Sequence, residues 1–90
     1  MITWDENKRK RNILEHGIDL ADLEVVFDLP MHTTEDRTTD HAERRHRSLC
    51  LFQGRVVVLI WTERSDTARL ISCRNGDKRE HETYFQNAFL

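Results

Sequence analysis

The stretch RSLCLFQGRVVVLIWTERSDTARLISCR, residues 47–74, decides the fold because three strand patterns follow one another within it. Its middle segment, residues 56–61, is apolar at every position and rich in β-branched side chains. Such a run predicts a central strand that is covered on both faces. Residues 48–53 precede it as another strand and end in Gln53-Gly54, a dipeptide typical of a hairpin turn.

The third pattern, residues 68–73, follows a polar turn at residues 62–67. Strict alternation divides its residues between two faces: Ala68, Leu70 and Ser72 on one, and Arg69, Ile71 and Cys73 on the other. The middle of the chain is therefore predicted to be a three-stranded antiparallel meander with arginines at its margins. Residues 31–35 are a candidate for a fourth, short edge strand.

Capping residues predict a helix immediately after the amino terminus. Asp5 can cap a helix over residues 6–16, and Gly17 supplies the stop. Lys8, Asn12 and His16 lie at intervals of four residues, so they share one face of this helix.

Two further helices are predicted, one on each side of the meander. Asp19 should open the first of them in a capping box with Asp22, and Leu29-Pro30 should end it. Its apolar face, which is expected to cover the sheet, consists of Leu20, Leu23, Val26 and Phe27.

The last helix is predicted over residues 78–88, with Asp77 as its N-cap. Glu80 and Tyr84 share one side of this helix because they are four residues apart. Phe85 and Phe89 share another side, and these two rings are expected to pack inward.

The fold class that follows is α+β, in a single domain over residues 1–90. We predict a small antiparallel sheet of three to four strands, with two N-terminal helices and one C-terminal helix. The N-terminal helices should cover one face of the sheet. The other face should stay open, with arginines around it.

Charge is distributed unevenly along the chain although the net charge is only −2. Residues 19–43 carry a net charge of −7, and residues 44–74 carry a net charge of +5. The predicted sheet is therefore basic, and a basic patch of this kind suits an anionic ligand. The longest apolar run has six residues and no signal-peptide pattern begins the chain, so we expect a cytoplasmic protein without a membrane segment. Cys50 and Cys73 are expected to be reduced core residues.

The residue inventory suits cleavage of a phosphodiester without a metal or other cofactor. RNA carries its own nucleophile, the 2′-hydroxyl, so the protein need only move protons and stabilise charge on the phosphate. Arginine stabilises such charge well because it is always protonated and can donate two parallel hydrogen bonds to two oxygens of one phosphate. A zinc site at His41, Glu43 and His46, or with Cys50, is not favoured because the spacing matches no common zinc motif.

Five fragments of the chain together resemble the BrnT family of toxins. They are, in order, Trp4-Asp5-x-x-Lys8-x-x-x-Asn12-x-x-x-His16-Gly17; Phe27-Asp28-x-Pro30; Thr62-Glu63-Arg64; Arg69-Leu70-Ile71-Ser72-x-Arg74; and Glu80-x-x-x-Tyr84. Three features depart from the family pattern. Glu15 stands where lysine is usual, Cys73 replaces a usual alanine, and Asn75-Gly76-Asp77 replaces a segment that usually holds another lysine.

The resemblance implies a RelE-like fold and a ribonuclease that arrests growth as the toxic half of a type II toxin–antitoxin pair. It also implies neutralisation by a cognate BrnA-like antitoxin of ribbon-helix-helix type. Operator DNA would be bound only through that antitoxin.

The same resemblance assigns roles to individual residues. Arg64 and Arg74 are expected to bind the scissile phosphate, with structural salt bridges as the alternative. Glu63 is a candidate general base or a partner of Arg64, and His16 a candidate for proton transfer or a helix cap.

Four further residues complete the predicted site. Arg69 is expected to be a second phosphate contact or a partner of a helix acid, and Lys8 to touch the RNA backbone. Glu80 and Tyr84 should complete the site from the last helix, with a packing role as the alternative for Tyr84.

A different class of function stays open. The basic sheet could instead serve a non-catalytic protein-binding or co-repressor module, in which Arg64 and Arg74 would hold a protein partner.

Overall fold

The computed structural model describes residues 1–37 and 43–89 of the chain. Five strands are present: β1 (Ile2–Trp4), β2 (His32–Asp36), β3 (Arg45–Phe52), β4 (Arg55–Arg64) and β5 (Thr67–Asn75). The helices are α1 (Glu6–His16), a 3₁₀ helix (Leu20–Asp28) and α2 (Lys78–Asn87). The α+β class, the predicted edge strand and the positions of all three helices are therefore confirmed, but the second helix is a 3₁₀ helix and not the predicted α-helix.

The strands form one mixed sheet in the order β1-β5-β4-β3-β2. The pairs β2–β3, β3–β4 and β4–β5 are antiparallel, whereas β1 pairs with β5 in parallel. The prediction of three to four strands, all antiparallel, is therefore wrong in number and in direction. A strand of three residues gives too short a pattern to detect, and its partner lies far away in the sequence.

The hairpin between β3 and β4 forms at the predicted dipeptide. Gln53 and Gly54 have φ angles of 50° and 77°. Positive φ at both central residues defines the type I′ turn, whose twist matches that of the flanking strands. A glycine tolerates this conformation without strain, so Gly54 directs the turn locally.

A β-bulge at Ile71 breaks the alternation predicted for β5. Ile60 is opposite Ser72, but the next residue, Trp61, is opposite Leu70, so Ile71 has no partner on β4. Because of the extra residue, each β5 side chain after the bulge points to the opposite face from the one that strict alternation predicts. Leu70 and Cys73 consequently belong to one buried cluster, whereas strict alternation had placed them on opposite faces.

One face of the sheet, here called the core face, packs under the 3₁₀ helix. Leu20, Leu23 and Val26 are fully buried there, and their spacing of three residues equals one turn of a 3₁₀ helix. The predicted capping box is wrong in detail. Asp19 Oδ1 accepts from the backbone N–H of Ala21 at 2.9 Å rather than pairing with Asp22.

The other face, here called the basic face, is half covered by α2. Tyr84 is fully buried against Leu49, Val56 and Val58. The expectation that this face is open is therefore correct only for the half beyond α2.

The inward side of α2 also differs from the prediction. Phe85 and Phe89 are 56% and 58% exposed, whereas Glu80 and Tyr84 are buried. Tyr84 suits the inward position because its ring packs in the core while its hydroxyl donates to the carbonyl oxygen of Pro30 at 2.8 Å.

Both cysteines are reduced and buried, as expected. Burial raises the pKa of each thiol to about 12, which leaves them unreactive. In the described ranges, no helix combines the length and the apolar character that crossing a membrane requires.

Candidate active site

The centre of the candidate site is a carboxylate held between two arginines. Arg74 on β5 donates from Nη1 to Oε1 of Glu80 at 2.9 Å and from Nη2 to Oε2 at 2.8 Å. Arg47 on β3 also donates to Oε2 of Glu80. The Glu80 side chain is only 10% exposed, whereas those of Arg47 and Arg74 are 32% and 44% exposed. The carboxylate therefore lies beneath, and the two guanidinium groups face solvent above it.

The first turn of α2 fixes Glu80 in this position. Asp77 and Glu80 form a capping box, in which Asp77 Oδ1 accepts from the Glu80 N–H at 2.9 Å and Glu80 Oε1 accepts from the Asp77 N–H at 2.8 Å. One carboxylate thus closes the helix start and holds the arginine pair. The hydrogen bonds from Arg74 are the main reason that the pKa of Glu80 falls to about 2.

A cavity of about 230 Å³ opens beside the two arginines on the basic face. Residues from α1, β2, β3, β4 and β5 line it: His16, Asp36, Arg47, Val58, Ile60, Ser72 and Arg74. Two guanidinium groups, an imidazole, a hydroxyl and the Asp36 carboxylate therefore share one concave surface, and the two arginines can bind an anionic substrate there.

Asn12 positions the helix that brings His16 to this cavity. Its side-chain amide donates to the carbonyl oxygens of Ile18 and Cys73 at 2.8 and 2.9 Å, and its oxygen accepts from the Cys73 N–H at 2.9 Å. Asn12 is 4% exposed, so it acts as a buried clamp between α1 and the edge of β5. His16 lies one turn further along the same side of α1.

The bulge at Ile71 places Arg69 on the basic face together with Arg74. Arg69 is opposite Thr62, and Arg74 is opposite Val58. Thr62 and Val58 are four residues apart on β4, so their side chains point the same way. The side chain of Arg69 makes no hydrogen bond or ion pair with the described part of the chain, so no described carboxylate holds its guanidinium.

Arg64 and Lys8 extend this basic surface at its margins. Arg64 donates to Glu43 Oε2 at 2.9 Å, and both side chains are exposed. Lys8 lines a smaller cavity of about 180 Å³ together with Asn12, His16 and Ser72. Neither residue touches the Arg47–Glu80–Arg74 group.

Two predicted site residues lie elsewhere. Glu63 alternates with Thr62 and therefore points to the core face, where it lines cavities beside Trp61 and His46. Tyr84 is fully buried and its hydroxyl is bound to Pro30. We therefore do not carry Glu63 as a base, or Tyr84 as an RNA contact, into the proposal below.

Sequence reasoning missed Arg47 and Ser72. Arg47 lies in a run of basic residues that gives no reason to prefer one over another. A signal was nevertheless present, since Arg47, Leu49 and Leu51 alternate on β3 and so share one face. An arginine on an otherwise apolar face marks a charge that requires a partner.

The disfavoured zinc hypothesis involved His41, which lies outside the described residues. Within residues 1–37 and 43–89, no three histidine, cysteine or acidic side chains are grouped as metal ligands.

The chain is similar to one known protein family in sequence and to a member of that family in structure. A profile described as the ribonuclease toxin BrnT of type II toxin–antitoxin systems matches residues 4–80. The crystal structure of the Brucella abortus ribonuclease toxin BrnT is similar to this chain at 32% sequence identity, with a TM-score of 0.69. The similarity covers 86% of this chain and 96% of that one. No curated protein sequence matches the chain. The family profile spans most of the sequence, so the chain belongs to the BrnT family of ribonuclease toxins of type II toxin–antitoxin systems.

Proposed function

We propose that this single domain, residues 1–90, is a metal-independent endoribonuclease whose cleavage of RNA arrests growth. The observation that carries the proposal is the paired guanidinium groups of Arg47 and Arg74, held by Glu80 beside His16 in one cavity. Two fixed cations at a concave surface supply charge stabilisation at the place where a phosphate would bind.

The reaction begins with attack of the RNA 2′-oxygen on the adjacent phosphorus. The 2′-hydroxyl loses its proton as the new P–O bond forms, and the bond to the 5′-oxygen breaks as that oxygen receives a proton. The products are a 2′,3′-cyclic phosphate and a 5′-hydroxyl. Arg47 and Arg74 stabilise the additional negative charge on the phosphate oxygens in the transition state.

His16 is the proposed proton-transfer group. An imidazole can accept and return a proton near neutral pH. The side chain of His16 is 33% exposed and lines the same cavity as Arg74. Glu80 is the proposed positioning residue, since its carboxylate is occupied by two arginines and the start of α2.

The remaining cations are proposed to hold the rest of the RNA strand. Lys8, Arg64 and Arg69 lie along the margin of the cavity and would contact backbone phosphates beyond the scissile one. Such contacts fix the register of the strand without reading its sequence.

Cleavage of RNA by purified protein in EDTA tests the proposal. The wild type should give 2′,3′-cyclic phosphate ends, and Arg74→Lys should be slower by about 10²-fold because lysine cannot bind in pairs. Arg44→Lys is the matched control, since Arg44 lies immediately before β3, 75% exposed, and approaches Glu35. RNA that stays intact with and without translating ribosomes would overturn the proposal.

We further propose that a cognate BrnA-like ribbon-helix-helix antitoxin neutralises the protein in the cytoplasm, and that operator DNA is bound through that antitoxin. Membership of a toxin–antitoxin family supports a protein partner. Co-expression with a small ribbon-helix-helix protein encoded next to this chain should restore growth. Restoration by any unrelated acidic protein would contradict this specific pairing.

A non-catalytic protein-binding or co-repressor module is the second candidate. The exposed Phe85 and Phe89 rings favour it, because they stack with centroids 6.2 Å apart on the outside of α2. Under this alternative, expression of the wild type is harmless, and Arg64→Ala and Arg74→Ala abolish complex formation.

A further inference from the structure

A row of polar side chains crosses the basic face next to the Arg47–Glu80–Arg74 group. Thr62 on β4 is opposite Arg69 on β5. On the other side of β4, His46 of β3 is opposite Trp61. Continuing this antiparallel register by one residue places Arg45 beside Thr62. Arg45, Thr62 and Arg69 therefore form a row across three neighbouring strands, here called the outer row.

The outer row holds polar atoms that have no partner among the described residues. The Thr62 hydroxyl and the Arg45 Nε are both buried and make no hydrogen bond within those ranges. Thr62 as a residue is only 2% exposed. A buried hydroxyl without a partner costs about 1–3 kcal/mol, so its presence calls for an explanation other than stability. Arg69 adds a guanidinium that no described carboxylate holds.

Cationic and anionic side chains both lie at this end of the sheet, since Glu43 and Glu63 line a cavity together with Arg44 and Thr62. Glu43 accepts from Arg64 at 2.9 Å, and the pKa of Glu43 is lowered first by that hydrogen bond and further by the charges of Arg64, Arg45 and Lys8. Glu43 forms an ion pair with Arg64. Arg45 and Arg69 have no ion pair in the described ranges.

We propose that the outer row binds the phosphate next to the scissile one, so that the protein grips two successive phosphates of a single-stranded RNA. This inference rests on the proposed function. Thr62 Oγ1 donates to a phosphate oxygen, while Arg45 and Arg69 approach it from both sides. Arg45 and Arg69 turn outward to admit the phosphate, since neither guanidinium has an ion pair or hydrogen bond with residues 1–37 and 43–89.

The spacing of the two sites along the sheet agrees with this assignment. Ile60 lines the first cavity, and Thr62 is two residues further along β4. Two residues of a strand span about 7 Å, which is on the scale of one nucleotide step. An RNA strand that runs parallel to β4 would therefore meet the Arg47–Arg74 pair first and the outer row next.

Binding of 2′-O-methyl oligouridylates, which cannot be cleaved by attack of the 2′-oxygen, tests the outer row. The dinucleotide carries one phosphodiester, and the trinucleotide carries two. Thr62→Val removes only the hydroxyl and should weaken trinucleotide binding about tenfold, with less than about a twofold change for the dinucleotide. Thr62→Ser keeps the hydroxyl and should restore wild-type affinity.

Arg74→Gln separates this inference from the proposed function, because it should weaken both oligonucleotides. Suppose that Arg74→Gln weakens binding of both oligonucleotides while Thr62→Val binds the trinucleotide with wild-type affinity. The outer row is then not a phosphate site. Equal loss of both oligonucleotides in Thr62→Val also overturns it, and failure of the wild type to bind either one overturns both proposals. Thr62→Val should melt at or above the wild-type temperature, since the hydroxyl it removes has no partner.

Discussion

Arg69 and Arg74 share one face of the sheet although they are five residues apart on β5. In a regular strand they would point to opposite faces. The bulge at Ile71 removes that conflict and aims both guanidinium groups at the same surface. Bulges next to functional sites commonly re-aim a side chain in this way.

This shared facing predicts a common effect of the two arginines on the salt dependence of RNA binding. Each phosphate contact on a single strand contributes about −0.7 to the slope of log K against log salt. Arg69→Gln and Arg74→Gln should each make the slope shallower by about 0.7, measured by fluorescence anisotropy over a salt series. Arg44→Gln should leave the slope unchanged, and an equal change in all three variants would count against a localised site.

Replacement of Glu80 should separate its two structural roles. Glu80→Gln keeps a capping side chain but leaves Arg47 and Arg74 without their anion, for an expected loss of about 2 kcal/mol in the free energy of unfolding. The loss is less than for a fully buried pair because both arginines are partly exposed. Glu80→Ala also loses the capping box and should cost about 1 kcal/mol more. Urea denaturation measures both, and equal stability of the two variants would argue against the capping role.

Stability should depend on acid pH through the same residue. The pKa of Glu80 is about 2 in the folded protein and 4.5 as its ordinary value. The carboxylate therefore contributes fully above about pH 4.5, and its contribution is lost as the pH falls toward 2. The stability difference between the wild type and Glu80→Gln should be largest at neutral pH and shrink across that window. A difference that stays constant from pH 7 to pH 3 would contradict this linkage.

Tyr84 should matter for folding and not for RNA. Tyr84→Phe removes the hydrogen bond to Pro30 and should lower the free energy of unfolding by about 1 kcal/mol with unchanged RNA cleavage. Phe85→Gln, which alters the exposed neighbour, should change stability by no more than about 0.5 kcal/mol. Slower cleavage by correctly folded Tyr84→Phe would return this residue to the site.

Asn12 should be among the least replaceable polar residues of the chain. Asn12→Ala deletes three buried hydrogen bonds and should cost about 2–4 kcal/mol. Asn12→Asp has the same shape but turns a negative oxygen toward two carbonyl groups, so it should be at least as destabilising. Thermal unfolding followed by circular dichroism checks both. A melting temperature within about 2 °C of the wild type in either variant would show that this clamp is dispensable.

The elements that local signals specify were predictable from the sequence. The hairpin turn at Gln53-Gly54 uses positive φ at both positions, and glycine adopts that conformation without strain. Asp5, Gly17 and Asp77 each satisfy backbone groups at a helix end. These signals act within a few residues, so they do not depend on the rest of the fold.

The features that depend on distant contacts were not predictable. The pairing of β1 with β5, the bulge at Ile71 and the inward choice of Tyr84 over Phe85 are all decided by packing between separated segments. The same limit applies to the site. Arg74 could be proposed from the family resemblance, but its juxtaposition with Arg47 exists only once β3, β4 and β5 are aligned.

The attachment of Glu80 to α2 has a consequence for the newly made protein. Synthesis runs from the amino end, so Arg47 and Arg74 leave the ribosome before the carboxylate that orders them. The arginine pair can reach its final arrangement only after α2 has docked. Under the proposed function, the protein therefore acquires its phosphate-binding arginine pair only at the step in which α2 docks on β3 and β5.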